Sequence, residues 1–333
     1  MKRKGNLMGS IAAMDNLYRA WIKARRGKHQ KLDVLAFESQ LDKNLRKLQF
    51  QLLEVNVQVG DYHYFMIFDP KERQICAAPF SERVLHHALM NICHDSFEKH
   101  LIGDTYATRK NRGTYAALDR ARSFSKKYQW FVKMDVRKYF DSINHVVLGS
   151  QLSQMFKDKD LLKVFDQILG SYSTDEGKGV PIGNLTSQYF ANHYLSGADH
   201  FAKEQLGVKG YIRYMDDVLM FGNNKGQLLG AAKKFVDYLR TYLKLELKPL
   251  VHAKTSFGIP FLGYKVFPYQ VRLNKRSKAR FRKKVKEYHD NLTIGVWDES
   301  AYQMHILPLL AFVEYADTLK YRKKIFWDKS HRL

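Results

Sequence analysis

Apolar residues along the chain change their spacing several times, and each change marks an element. Across residues 8–50 they recur every three or four positions among charges, as at Leu41, Leu45 and Leu48, which predicts helices with a break and restart at Gly27 and Asp33. Tyr62, Tyr64 and Met66 then alternate with polar or smaller residues. Asp69-Pro70-Lys71-Glu72 supplies a turn, and the segment 74–78 returns, predicting a strand pair. Helix resumes at Ser81, placed as an N-cap to the apolar stripe Val84, Leu85 and Ala88. Residues 130–136 form a compact apolar run of strand length, and 210–222 form another with two acids at its centre. Between them 184–206 reads as a helix, and a third apolar run at 260–267 follows a helix around 231–245. Strands and helices alternating at mixed connection lengths predict an α+β fold, a sheet with helices on one face.

Charge narrows the partners. The 333 residues carry 56 Lys plus Arg against 33 acids, a formal +23, and an excess of that size calls for a polyanion. No apolar run approaches transmembrane length, and the opening MKRKGNLMGS lacks the apolar stretch of a signal peptide, so nucleic acid is favoured over a membrane. Cys76 and Cys93 lie outside any CxxC or Cys/His cluster, which argues against a disulfide framework or a zinc site and fits a reducing cytoplasm. Beyond Val271 the character shifts: Arg272 to Lys286 holds nine Lys or Arg and no acid. The expected divisions are a helical extension over 1–60, then 61–133, then 134–270 with an insertion near 145–178, then a basic helical segment over 271–333.

Acids inside apolar strands are costly unless paired or bound to metal. Asp135 ends one such strand, and Asp216-Asp217 interrupts another. Adjacent strand residues point to opposite faces, so a tight hairpin at the pair is needed to aim both acids at one site. Side by side, the two strands would set Asp135 opposite Asp216, roughly 5 Å apart in backbone spacing. That arrangement could hold two Mg²⁺ ions roughly 4 Å apart, as in-line phosphoryl transfer requires. Two acids at a hairpin tip are common on any surface; the strand context and Asp135 together favour the catalytic reading.

These residues carry a resemblance. Tyr214-Met215-Asp216-Asp217 is similar to the YxDD box of reverse transcriptases, and Met134 to Phe140 resembles their first palm motif. Between them lies Gly179 to Gln188, where that family carries its nucleotide-pocket loop, and Phe261-Leu262-Gly263-Tyr264 resembles the primer grip. The family's usual pocket loop reads PQGxxxSP. Here Ile182 replaces the glutamine and Gln188 the final proline, the pattern of the diversity-generating retroelement group. Asp69 to Arg73, Glu82 to His87 and Tyr106 to Gly113 resemble that group's other motifs.

The resemblance implies a right-hand fold with fingers over 61–133, an antiparallel palm sheet backed by helices over 134–270, and a helical thumb over 271–333. It implies two Mg²⁺ ions, with Mn²⁺ as a substitute, held by Asp135, Val136, Asp216 and Asp217. Arg73 would pair with the triphosphate and Lys71 could do so; Phe140 would be the steric gate against a ribose 2′-hydroxyl. Ile182, Gln188, Tyr214 and Met215 would complete the nucleotide pocket, and Lys254 would donate a proton to pyrophosphate. Gly263 and Tyr264 would meet the primer, while Arg276, Arg280, Lys283 and Lys284 would track template–primer phosphates. Partners implied are a template RNA, a DNA or RNA primer, dNTPs and a small pentameric accessory protein, in the cytoplasm of a bacterial host or from a phage. Retron, intron-encoded and phage-defence reverse transcriptases are the alternative lineages, and a non-catalytic RNA-binding factor the alternative class. The Val-Thr-Gly triplet of retron enzymes is missing.

Overall fold

The computed structural model describes residues 3–68 and 72–330. Its strands are β1 (His63–Ile67), β2 (Arg73–Ala77), β3 (Trp130–Asp135), β4 (Gly210–Tyr214), β5 (Asp217–Gly222), β6 (Val251–Lys254), β7 (Ile259–Phe261), β8 (Tyr264–Val266) and β9 (Val271–Leu273). The central sheet runs β4-β5-β3-β6, every pair antiparallel. Two satellites stand beside it: the hairpin β1-β2 and the three-stranded β7-β8-β9. Residues 104–106 cover the open edge of β4, the Arg213 amide bonding to the Asp104 carbonyl and the Tyr106 amide to the Arg213 carbonyl.

Strand alternation sorts the central sheet into two dry faces. Val132, Met134, Val218, Met220 and Tyr211 look into a core shared with helices Phe80–His100, Leu185–Tyr194 and Lys225–Leu243. Phe131, Ile212, Leu219 and Phe221 look into a second core with helix Thr114–Lys127, β7–β9 and helices Lys275–Thr293 and Glu299–Glu314. The expected one-sided sheet is therefore covered on both faces. A strand with apolar residues on both sides, such as Asp-Val-Leu-Met-Phe in β5, needs two cores to bury them.

Several expected elements change in detail. Helix Phe80–His100 begins one residue before Ser81, with Pro79 at its N-cap and no side-chain cap; the Pro79 carbonyl accepts the first helical bond from the Arg83 amide, and the cap expected of Ser81 is not made. The single helix expected over 184–206 is Leu185–Tyr194, Ser196–His200 and a π-turn at Phe201–Gln205. The strand expected over 260–267 is the hairpin β7-β8, folded at Leu262 and Gly263, both left-handed (φ 47° and 89°). The break at Gly27 holds: helix Met14–Arg25 stops before it, and Gly27 takes φ 69°. In the helical segment expected over 1–60, Ile11, Leu17, Leu45 and Leu52 join the core beneath the central sheet.

Candidate active site

β3, β4 and β5 bring the three aspartates together. Asp135, the last residue of β3, lies in register with Asp217, the first of β5, and Tyr214 pairs Asp217 from the other side. Asp216 sits beyond them in the two-residue turn Met215-Asp216, so Asp217, not Asp216, is the cross-strand partner of Asp135. The expected pairing was one residue out because the hairpin turns before Asp217 rather than between the two acids. Met215 enters the turn in a left-handed conformation (φ 55°), which costs a non-glycine residue roughly 1–2 kcal/mol. Tyr214 packs toward one core and Met215 toward the other, clamping the turn from both faces. Thr114 donates to the Tyr214 hydroxyl at 3.2 Å.

Burial dominates the electrostatics. It raises the carboxyl pKa of Asp216, helped by Asp135, against Lys248 and Arg73, which pull it down. Burial likewise pushes Asp217 up to about 6, opposed by Lys133 and reinforced by Asp216 and Asp135. Two lysines answer this charge. Lys133, two positions before Asp135 on the same strand face, bonds Asp217 Oδ2 at 2.8 Å and the Pro260 carbonyl at 3.2 Å. Lys248 bonds Asp135 Oδ1 at 2.5 Å, carried there by a loop whose Lys248 amide bonds the Asp135 carbonyl and whose Leu247 bridges Val136.

Hard carboxylate oxygens suit Mg²⁺, which accepts one or two carboxylates and takes its remaining ligands from water and phosphate. Among the described residues no three ligating side chains close on one point as a finished cage. The open set fits a site that substrate completes. Asp217 Oδ1 is buried without a hydrogen-bond partner, an orphaned acceptor of the kind a metal would satisfy. Val136, buried at 2% exposure, has only its backbone to offer there.

Around the acids the structure gathers several expected residues. Arg73 opens β2 with its side chain exposed, and its charge reaches Asp216. The Phe140 carbonyl accepts from the Val180 amide at 2.9 Å, laying the expected gate against the pocket loop. The Ile182 carbonyl accepts from the Cys76 amide at 2.8 Å, so β2 holds that loop directly. A Cβ on Gly183 (φ 131°) would come within 2.8 Å of the Cys76 carbonyl oxygen, which leaves only glycine there. Ile182 is half-buried, and so is Gln188 in the first turn of helix Leu185–Tyr194. Lys71 lies outside the described residues.

Other expectations are corrected. Lys254 pairs with Trp130 at the opposite end of β3 from Asp135; five residues of strand put about 16 Å between them. Its ammonium lies over the Trp130 ring instead. Tyr264 is fully buried and donates to the Phe312 carbonyl at 2.5 Å, so the primer cannot reach it. The Gly263 carbonyl accepts from Ser277 Oγ at 2.7 Å, tying the hairpin tip to helix Lys275–Thr293. Of the four basic residues expected to track phosphates, Arg276 and Lys283 are exposed, while Lys284 is half-buried and Arg280 lies over the Phe312 ring. Lys133 could have been found in the sequence from its alternation with Asp135. Lys248 carries no local signal, since the short connection between helix Lys225–Leu243 and β6 delivers it.

A family model described as reverse transcriptase (RNA-dependent DNA polymerase) matches residues 69–266. The group II intron-encoded protein LtrA of Lactococcus lactis is 24% identical over 137 residues, 39% of this chain and 23% of that protein. The putative COX1/OXI3 intron 2 protein of Saccharomyces cerevisiae is 21% identical over 183 residues, 51% of this chain and 20% of its own length. The chain thus spans less than a quarter of either relative. Apo telomerase from Candida tropicalis superimposes with a TM-score of 0.52 at 13% identity, covering 67% of this chain and 50% of that one. The likeness is one of fold, the right-hand polymerase frame around a central antiparallel sheet. No helix among the described residues is long and apolar enough to cross a membrane. Since the family match covers more than half of the chain and takes in all three aspartates, this protein belongs to the reverse transcriptase family.

Proposed function

We propose that the chain is an RNA-directed DNA polymerase that copies a template RNA from a DNA or RNA primer with dNTPs. The observation that carries this is the register of Asp135 with Asp217 beside Asp216 at the hairpin tip, with the buried, unsatisfied Asp217 Oδ1 at its centre. Asp135, Asp216, Asp217 and the Val136 backbone would hold two Mg²⁺ ions, or Mn²⁺ in their place. When bound, the ions supply charge neutralisation at the triphosphate and acidify the primer 3′-hydroxyl. Arg73, exposed on β2, presents a planar fork to the triphosphate. Phe140, held against the pocket loop, excludes a ribose 2′-hydroxyl. The proton-donor role expected of Lys254 fits Lys248, which already stands at the carboxylates. Asp216→Asn or Asp217→Asn is expected to abolish primer extension while leaving RNA binding intact. Extension retained by either variant refutes the assignment.

The finer reading is mutagenic cDNA synthesis for a diversity-generating retroelement, with a small pentameric accessory protein helping to hold the cognate RNA. Its support is the Ile182 and Gln188 pattern of the pocket loop. An isoleucine there packs but cannot hydrogen-bond near the incoming sugar, and losing one net bond of roughly 1 kcal/mol costs several-fold in selectivity. Ile182→Gln is expected to lower misincorporation opposite template adenine without stopping synthesis; equal error spectra for the two forms in sequenced cDNA would count against the role of Ile182. A second reading, an intron-derived enzyme, is favoured by the intron-encoded relatives. Near-identical repeats beside the gene, differing mainly at adenines, would decide for the first.

A further inference from the structure

Beneath the metal-bearing turn lies a wholly buried ion pair that the polymerase reading does not use. Arg213, in β4, and Asp199, in helix Ser196–His200, both have no solvent exposure. All five N–H donors of the guanidinium are taken. Nε bonds Asp199 Oδ1 at 2.7 Å, and Nη2 bonds Asp199 Oδ2 at 2.6 Å and the Asn192 carbonyl at 2.9 Å. Nη1 bonds Asn192 Oδ1 at 2.9 Å and the carbonyl of Met215 at 3.1 Å. Asp199 is braced in turn by the hydroxyls of Tyr211 at 2.6 Å and Thr105 at 3.3 Å.

Stability alone is a poor reason for such a pair. Two ions taken out of water rarely outdo an apolar pair of the same volume, and Arg213 stands in a strand whose neighbours Ile212 and Tyr211 pack as core. The fork makes three connections that no apolar side chain could make at once. It grips Met215, the left-handed residue that aims Asp216 and Asp217. It grips Asn192, in the helix that starts at the pocket loop holding Ile182. It grips Asp199, which the sheet edge at Thr105 also holds. We propose that Arg213 is a positioning residue that locks the Met215-Asp216 turn and helix Leu185–Tyr194 into one body, fixing the spacing between the metal-binding carboxylates and the nucleotide pocket. The inference rests on the two-metal reading of the aspartates.

Arg213→Lys keeps the charge opposite Asp199 but has three donors on one atom and cannot span the three partners. Arg213 touches the turn that carries Asp216 and no metal ligand itself, so its loss should act at the lower end of the 10- to 100-fold range seen for groups that orient ligands: Mn²⁺ titration calorimetry on the full chain is expected to show a roughly tenfold weaker site in Arg213→Lys. Met215→Gly added to Arg213→Lys removes the backbone penalty that Arg213 opposes and is expected to restore most of that affinity; a merely structural arginine would not be rescued this way. Tyr211→Phe takes a bond from Asp199 without touching the turn, and is expected to lower the melting temperature but leave Mn²⁺ affinity unchanged. Asn192→Ala removes one acceptor of Nη1 and is expected to weaken Mn²⁺ binding by a smaller factor, which keeps the test open should Arg213→Lys not fold. Wild-type Mn²⁺ affinity in a folded Arg213→Lys or Asn192→Ala protein, or no rescue by Met215→Gly, overturns the inference. If wild type itself binds Mn²⁺ no better than Asp216→Asn, the two-metal reading has failed, and this inference falls with it.

Discussion

The lysine positions show how far residue chemistry follows from spacing. Lys133 shares a strand face with Asp135, so its bond to Asp217 across the sheet follows from alternation once β3 and β5 are paired. Lys254 drew a role from its place in a motif, yet strand register puts it beside Trp130. Register is set by long-range pairing that no local pattern announces. Lys248→Ala is therefore expected to slow single-turnover nucleotide incorporation about a hundredfold, in the range of a lost general acid, and Lys254→Ala to leave it nearly unchanged; the reverse result would restore Lys254. His193 is another residue that spacing could not interpret. Burial in the core of helix Leu185–Tyr194, with His100 adding to it, depresses its pKa to about 3. A histidine held neutral in the fold binds its proton more tightly when unfolded, so stability is full above about pH 6.5 and falls as pH drops toward 3. The loss from this residue reaches about 2 kcal/mol by pH 5. His193→Gln is expected to flatten the dependence of denaturation midpoint on pH between 6.5 and 4, and an equally steep dependence would assign the acid lability elsewhere.

Elements were legible where their pattern is local and blurred where partners decide their ends. The apolar runs at 130–136 and 210–222 became β3 and the β4-β5 hairpin, because a short apolar stretch around a turn can be satisfied by one sheet. The helix over 184–206 splits at Leu195 and again into the π-turn at Phe201, and the buried polar residues Asn192, His193 and Asp199 lie within its pieces. The pocket loop is fixed by an element far away in sequence: Gly183 lies against β2 where any side chain would strike the Cys76 carbonyl. Gly183→Ala meets both this contact and an unfavourable φ, and is expected to cost roughly 1–3 kcal/mol. It should also raise the KM for dNTP more than it lowers kcat, and an unchanged KM would free the loop from β2. Helix Lys275–Thr293 buries Ser277, Phe281 and Val285, a stripe at four-residue spacing that leaves Arg276 and Lys283 outward. Neutralising both is expected to weaken RNA–DNA duplex binding regardless of sequence and to lower the salt slope by about 2. An unchanged slope would turn this face away from the nucleic acid.

At the scale of the molecule, the charge of +23 named the class of partner, and ordered motifs named the frame. What neither could supply is how the parts are joined. The segment expected as an extension over 1–60 sends Ile11, Leu17, Leu45 and Leu52 into the core under the central sheet. The last helices are joined by aromatic contacts made across some 200 residues of sequence. Tyr115, at the start of helix Thr114–Lys127, stacks on Tyr315 with centroids 4.6 Å apart, and its hydroxyl donates to the Ala311 carbonyl at 3.3 Å. Tyr315 donates to Asp119 at 2.8 Å, and the buried Tyr264 meets its ring edge-on. These contacts tie the C-terminal helices to helix Thr114–Lys127, while the three aspartates sit at the end of β3 and at the β4-β5 turn and are not among the residues that make them. An aromatic pair of this kind is worth about 0.5–1.5 kcal/mol beyond its buried area, enough to change several-fold how firmly the C-terminal helices are held against helix Thr114–Lys127. Tyr315→Ala is therefore expected to shorten the cDNA made per binding event several-fold in a heparin-trap assay while the rate of adding the first nucleotide stays close to wild type. Tyr115→Phe, which keeps the stack and loses the hydroxyl's contacts with Ala311 and Tyr264, should fall between wild type and Tyr315→Ala. If Tyr315→Ala instead slows the first addition as much as it shortens the product, the ring pair would serve the aspartates rather than the grip on the duplex.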